Sequence, residues 1–128
     1  MASGETVDRG EPMSPSLATF NHYQQHSSET AIYPGRGTLE GIEYCVLGLV
    51  GESGEIANKL KKVLRDDNGV LREPVRQQLI DELGDVLWYT QQIATELNVM
   101  LGEVALANRI KLVLRKDRGT LQGQGDER

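Results

Sequence analysis

The chain has 128 residues, with 14 basic and 19 acidic side chains and a net charge of −5. That length suits a single domain with a real core and leaves little for a second. The acidic balance excludes broad electrostatic attraction to nucleic acid or to an anionic lipid surface, so a polyphosphate ligand would need local cations to hold it.

No apolar run approaches the roughly 20 residues of a membrane span. The opening "MASGETVDRGEPMSPS" lacks the apolar centre of a secretory signal. A soluble, cytoplasmic protein is therefore expected. Cys45 is the only cysteine, which excludes an intrachain disulfide and a cysteine-based zinc cluster. Its neighbours in "YCVLGLV" mark it as a small core residue.

Residues 1–15 are polar, are broken by Gly4, Gly10, Pro12 and Pro15, and show no periodic apolar face, so a flexible leader is expected before a domain over 16–128. From Ser16 to Ser28, Leu17, Phe20 and Tyr23 recur every third residue, which predicts a short amphipathic helix capped by Ser14 or Ser16. "YPGRGT" breaks the chain, and Thr38 is placed to cap the next helix. A long second helix is predicted from Leu39 to Arg65, with Ile42, Val46, Leu49, Ile56, Leu60 and Val63 on its apolar stripe and an interruption near Ser53. "DDNG" at 66–69 is turn chemistry, and Pro74 suits the first turn of a third helix. That helix runs through Val75, Leu79, Leu83, Val86, Thr90, Ile93 and Leu97 and ends before Asn98. A fourth, from Leu101 to Lys116, turns Val104, Leu106, Ile110 and Val113 inward and stops at Gly119. No alternating strand pattern competes, so the expected class is all-α with four helices.

Glu52 and Glu55 in "GLVGESGEIANKLKK" are three residues apart, as are Glu82 and Asp85 in "DELGDVLWY", so each pair occupies one face of its helix. In an antiparallel hairpin centred between Asn68 and Gly69, Glu55 comes level with Glu82 and Glu52 with Asp85. The centre falls inside the expected turn, and the four acids then face one another. Four clustered carboxylates repel, and a cation relieves that repulsion. An all-oxygen donor set without cysteine or histidine favours Mg²⁺, or Mn²⁺ in its place, over zinc. Lys59 and Lys62 continue the same stripe, so cations would hold a polyphosphate from both sides. An acidic pair on a solvated helix face, with Glu55–Lys59 as an ordinary ion pair, is the plainer alternative for each motif alone. Gly48, Gly51, Gly54 and Gly84 in helix interiors each cost about 1 kcal/mol against alanine, which points to close helix approach beside the acids or to packing alone.

Glu-x-x-Glu, a spacer and then Glu-x-x-Asp resembles the signature of the MazG-like all-α nucleoside triphosphate pyrophosphohydrolases. "ANRIKLVLRKDRG" is similar to that family's segment after the second acidic pair, and the ending "GQGDER" resembles small phage- and cassette-type members. The resemblance spans about residues 17–128. It implies a Mg²⁺ site of Glu52, Glu55, Glu82 and Asp85 and hydrolysis of a nucleoside triphosphate to monophosphate and pyrophosphate by attack of water at the α-phosphorus. Glu52 or Glu55 would be the base. The resemblance also implies phosphate contacts from Lys111 and Arg115, with Asn108 nearby; the alternative for these is a basic helix end favoured by the helix dipole. Base recognition partly through the first helix would fall to Gln24 and Asn21, unless these are merely solvated.

His22 and His26 share one helix face, but no third ligand has a recognisable spacing. Trp88 reads as a core or interface residue rather than a base platform. "CVLGLVG" is apolar on more sides than one short chain can cover, and the resembled family forms dimers or tetramers whose chains complete the pocket, so a homo-oligomer is expected. Two competing readings are phosphoribosyl-ATP hydrolysis and a non-catalytic helical oligomerisation module that binds divalent ions.

Overall fold

A computed structural model describes residues 19–123. The expected leader, the expected caps Ser14 and Ser16, Leu17 and the "GQGDER" ending lie outside those residues, apart from Gly123. The described chain contains four helices and no strand: α1 (Phe20–Ser27), a 3₁₀ turn (Ser28–Thr30), α2 (Leu39–Asp66), α3 (Val75–Glu96) and α4 (Leu101–Asp117). It is all-α, with the boundaries of the last three helices within two residues of those expected.

The N-cap of α1 is Thr19, whose hydroxyl accepts the His22 N–H at 3.2 Å. Thr38 stands at the N-cap of α2, but its side chain does not cap; its hydroxyl donates to the Gly35 carbonyl at 2.6 Å instead. α2 runs unbroken through Ser53, whose hydroxyl folds back onto the Leu49 carbonyl at 2.7 Å, satisfying itself without leaving the helix. The turn after α2 places Asn68 and Gly69 at φ of 53° and 73°, left-handed values that these two residue types tolerate best. The chain thereby reverses and α3 lies antiparallel along α2, the largest packing surface of the molecule.

The hairpin register shows in its closest contacts. A Cβ on Gly48 would stand 2.2 Å from the Tyr89 ring, and one on Gly41 would stand 3.1 Å from the Glu96 carboxylate. Both pairs are equidistant from the point between Asn68 and Gly69, the centre inferred from the acids. Gly51, Gly54 and Gly84 do not share this role: a Cβ on any of them would meet open space, so close approach explains Gly48 alone among the four.

The core is small. Ala31, Tyr33 and Cys45 are buried, with Trp88, Tyr89 and Ile93 packed against them. The Trp88 indole N–H donates to Thr30 Oγ1 at 2.8 Å and to the Ser27 carbonyl at 3.1 Å, which ties α3 to the end of α1. The expected apolar face of α4 is not buried within one chain, and that of α3 is covered only in part. Leu83 is 59% exposed, and Val104, Leu106, Ile110 and Val113 are all exposed. Gln91 and Gln92 are fully buried in their place, because α1 packs on the polar side of α3. Gln91 Nε2 donates to Gln92 Oε1 at 3.1 Å, Gln92 Nε2 donates to the Tyr33 hydroxyl at 2.7 Å, and that hydroxyl donates to Glu96, which leaves Gln91 Oε1 as the buried oxygen of this chain of amides without a partner. Periodicity finds apolar stripes; it does not say whether the same chain covers them.

Candidate metal and phosphate site

Glu52 on α2 and Glu82 and Asp85 on α3 each present a carboxylate oxygen, and these atoms all lie within 4.8 Å of one another. Glu52 and Glu82 are partly buried and Asp85 is exposed, so the group opens to solvent on one side. Glu55 stands outside this triangle. It contacts Lys59 at 3.7 Å, and Lys59 in turn donates to Glu82 at 2.7 Å. Lys59 therefore links the fourth acid to Glu82.

The charges leave a mark on proton affinity. Burial, then a hydrogen bond to Glu82 and repulsion from Asp85, Glu82 and Glu55, hold the Glu52 carboxyl above the usual carboxylate range. Glu82 moves the other way, because the Lys59 ammonium hydrogen-bonds it and stabilises its anion. Glu52 thus keeps a proton to higher pH and shares it with an ionised Glu82. All the donors are oxygens, they lie within 4.8 Å of one another, and their mutual repulsion is relieved only in part by Lys59; this donor set fits a hard divalent cation.

These shifts give the metal-free chain a pH-dependent stability. A carboxyl whose pKa is raised by folding contributes stability below its unfolded value, and that contribution disappears as pH rises through the folded value. Glu82, with its lowered pKa, contributes above the unfolded value and loses that contribution in acid. In a chelator-containing buffer, the melting temperature of the native chain should fall as pH rises past the ordinary carboxylate range, and Glu52→Gln should flatten that fall. A Glu52→Gln chain that melts well below the native one at neutral pH would contradict the strained-cluster account.

The other expected site residues lie farther from the acids. Lys62 is exposed and lines a small cavity of about 190 Å³ with Lys59, Val63, Asp67, Val75 and Gln78, toward the loop end of the hairpin. Asn108 faces a groove of about 660 Å³ between α4 and Phe20 of α1, and Lys111 is exposed on α4. The contacts among the acids and Lys59 lie within α2 and α3, so neither α4 residue takes part in them. Arg115 is 4% exposed and lies inside the fold rather than on a phosphate-binding surface.

Gln24 is not a solvated residue in this arrangement, and its amide is occupied within the fold. It is 5% exposed; its Nε2 donates to Thr95 Oγ1 and to the Val99 carbonyl, both at 3.0 Å, and its Oε1 accepts the Leu101 N–H at 2.7 Å. Asn21 Oδ1 accepts the Gly102 N–H at 2.8 Å. Together they cap the start of α4 from α1, satisfying N–H groups that a helix cannot satisfy for itself. A buried amide looks the same as a surface amide in a string of letters, and the only available signal was the unmet N-terminus of α4.

Residues 40–119 match the family described as MazG nucleotide pyrophosphohydrolase domain. The chain is also similar to "Gene 37 protein" of Mycobacterium phage L5, at 54% identity over 109 residues, covering 83% of this chain and 96% of that protein. No solved structure matches it.

Proposed function

Because the chain belongs to the MazG nucleotide pyrophosphohydrolase family, we propose that it hydrolyses a nucleoside or deoxynucleoside triphosphate to the monophosphate and pyrophosphate, with Mg²⁺ bound among the acids. The observation that carries this reading is the meeting of Glu52, Glu82 and Asp85 oxygens within 4.8 Å across the hairpin, beside Lys59. Mg²⁺ bound there, or Mn²⁺ on the same oxygens, would neutralise phosphate charge and acidify a water.

The side chains divide the remaining work. Glu52, Glu82 and Asp85 hold the ion, and Glu55, outside their triangle, completes the set or orients and deprotonates the attacking water. With Glu82 engaged by an ion, the Lys59 ammonium would be free to turn, with that of Lys62, toward the departing pyrophosphate. Lys111 and Asn108 join the phosphates by the family resemblance.

The same reading makes the active form a homo-oligomer. Leu47 at 72% exposed on α2 and Leu83 at 59% on α3 are too apolar and too many, with their neighbours, to face water. The site of action is the cytoplasm, where nucleotide pools are. Among the described residues no helix is long and apolar enough to cross a membrane.

The test is a pyrophosphate-release screen over normal and modified nucleotides with Mg²⁺ and with Mn²⁺, chelator serving as the blank. Metal-dependent release from at least one triphosphate is expected. Release only from phosphoribosyl-ATP would reassign the substrate, and silence across the panel, with metal still raising the melting temperature, would leave a non-catalytic metal-binding module.

A further inference from the structure

A second group of metal-competent side chains stands apart from the acids. His22 and His26 lie one turn apart on α1 with their Nε2 atoms 3.1 Å from each other. Their ring centroids are 4.2 Å apart, with the planes at 43°. Two imidazoles joined head-on by a linear N–H···N bond would hold their centroids about 5 Å apart. The shorter separation means that the hydrogen bond between the two nitrogens is bent rather than head-on, and an ion bound to both would replace its proton.

An ion at the usual metal–imidazole length of about 2.0–2.1 Å from both nitrogens would see them at about 100°, between the square and tetrahedral angles. The other ring nitrogens reinforce this arrangement. His26 Nδ1 lies 3.3 Å from the Glu29 carboxylate, so the acid stands on the far side of the ring from Nε2 and orients the imidazole. His22 Nδ1 is shut away from solvent without a hydrogen-bond partner, so Nε2 is the only nitrogen that His22 can offer a ligand.

We propose that His22 and His26 form a bidentate clamp for a transition-metal ion, with Glu29 as the positioning residue and water in the remaining coordination positions. Imidazole nitrogen without thiolate selects Cu²⁺, Ni²⁺ or Zn²⁺ and discriminates against Mg²⁺. The clamp is therefore chemically separate from the oxygen cluster and does not depend on the hydrolytic reading.

The test is calorimetric titration of the untagged full-length chain with Ni²⁺ and Zn²⁺ in saturating Mg²⁺, with far-UV dichroism confirming that each variant is folded. One ion per chain is expected. Affinity should fall at least about tenfold in His26→Gln and in His22→Ala, fall about tenfold in Glu29→Gln, and be unchanged in the Glu52→Gln, Glu82→Gln double variant. Equal affinity in native and His26→Gln chains, loss of binding with the acids rather than with the histidines, or no binding by the native chain would each overturn the proposal.

Discussion

Asp85→Asn is expected to lower metal-dependent pyrophosphate release by about 100-fold or more while leaving the helical content unchanged. An ion held by several carboxylates supplies several kcal/mol of charge stabilisation to the transition state, and losing one charged ligand removes much of it. Asp85 is the exposed member of the triangle and has no salt bridge among the described residues to leave behind, so its substitution isolates the metal contribution. Glu82→Gln should be as inactive, but it also strips Lys59 of its 2.7 Å partner and is the less clean probe. Metal titration separates the causes: the asparagine variant should need much more Mg²⁺ for half-maximal stabilisation. Near-native turnover by Asp85→Asn would remove the three-carboxylate cluster from the chemistry.

Gln24→Met is expected to cost about 3 kcal/mol of stability. The near-isosteric side chain keeps the volume but removes both hydrogen bonds that the amide donates and the one it accepts. The Leu101 N–H suffers most, because Leu101 is 4% exposed and water cannot replace the lost acceptor. Val99 is 36% exposed, so water replaces part of what its carbonyl loses. For a chain of this length the melting temperature should drop by roughly 10 °C. Nucleotide preference should not change. A variant with unaltered melting but altered base selectivity would return Gln24 to the substrate pocket.

These two residues mark how far one-dimensional reasoning reaches. Glu52, Glu82 and Asp85 were legible because helical spacing and hairpin symmetry are local, additive rules: a turn at Asn68 and Gly69 fixes which side chains come level. Cys45 was legible as a core residue from its apolar neighbours, whereas the contact of Gly48 with Tyr89 was visible only in the structure. Gln24 was not legible, since its partners at Thr95, Val99 and Leu101 lie more than seventy residues away and nothing in its neighbours signals burial.

Helix number, class and the face carrying the acids thus came from residue order alone, because backbone periodicity and turn chemistry depend on near neighbours. The choice of interior did not. Hydrophobic periodicity names a surface that prefers to leave water, but whether α1, another helix or a second chain covers it depends on packing between distant segments. That packing put Gln91, Gln92 and Arg115 inside and left Leu83 and Val104 facing out. Glu55, by contrast, keeps a local partner, contacting Lys59 one helical turn away and standing outside the three acids that meet.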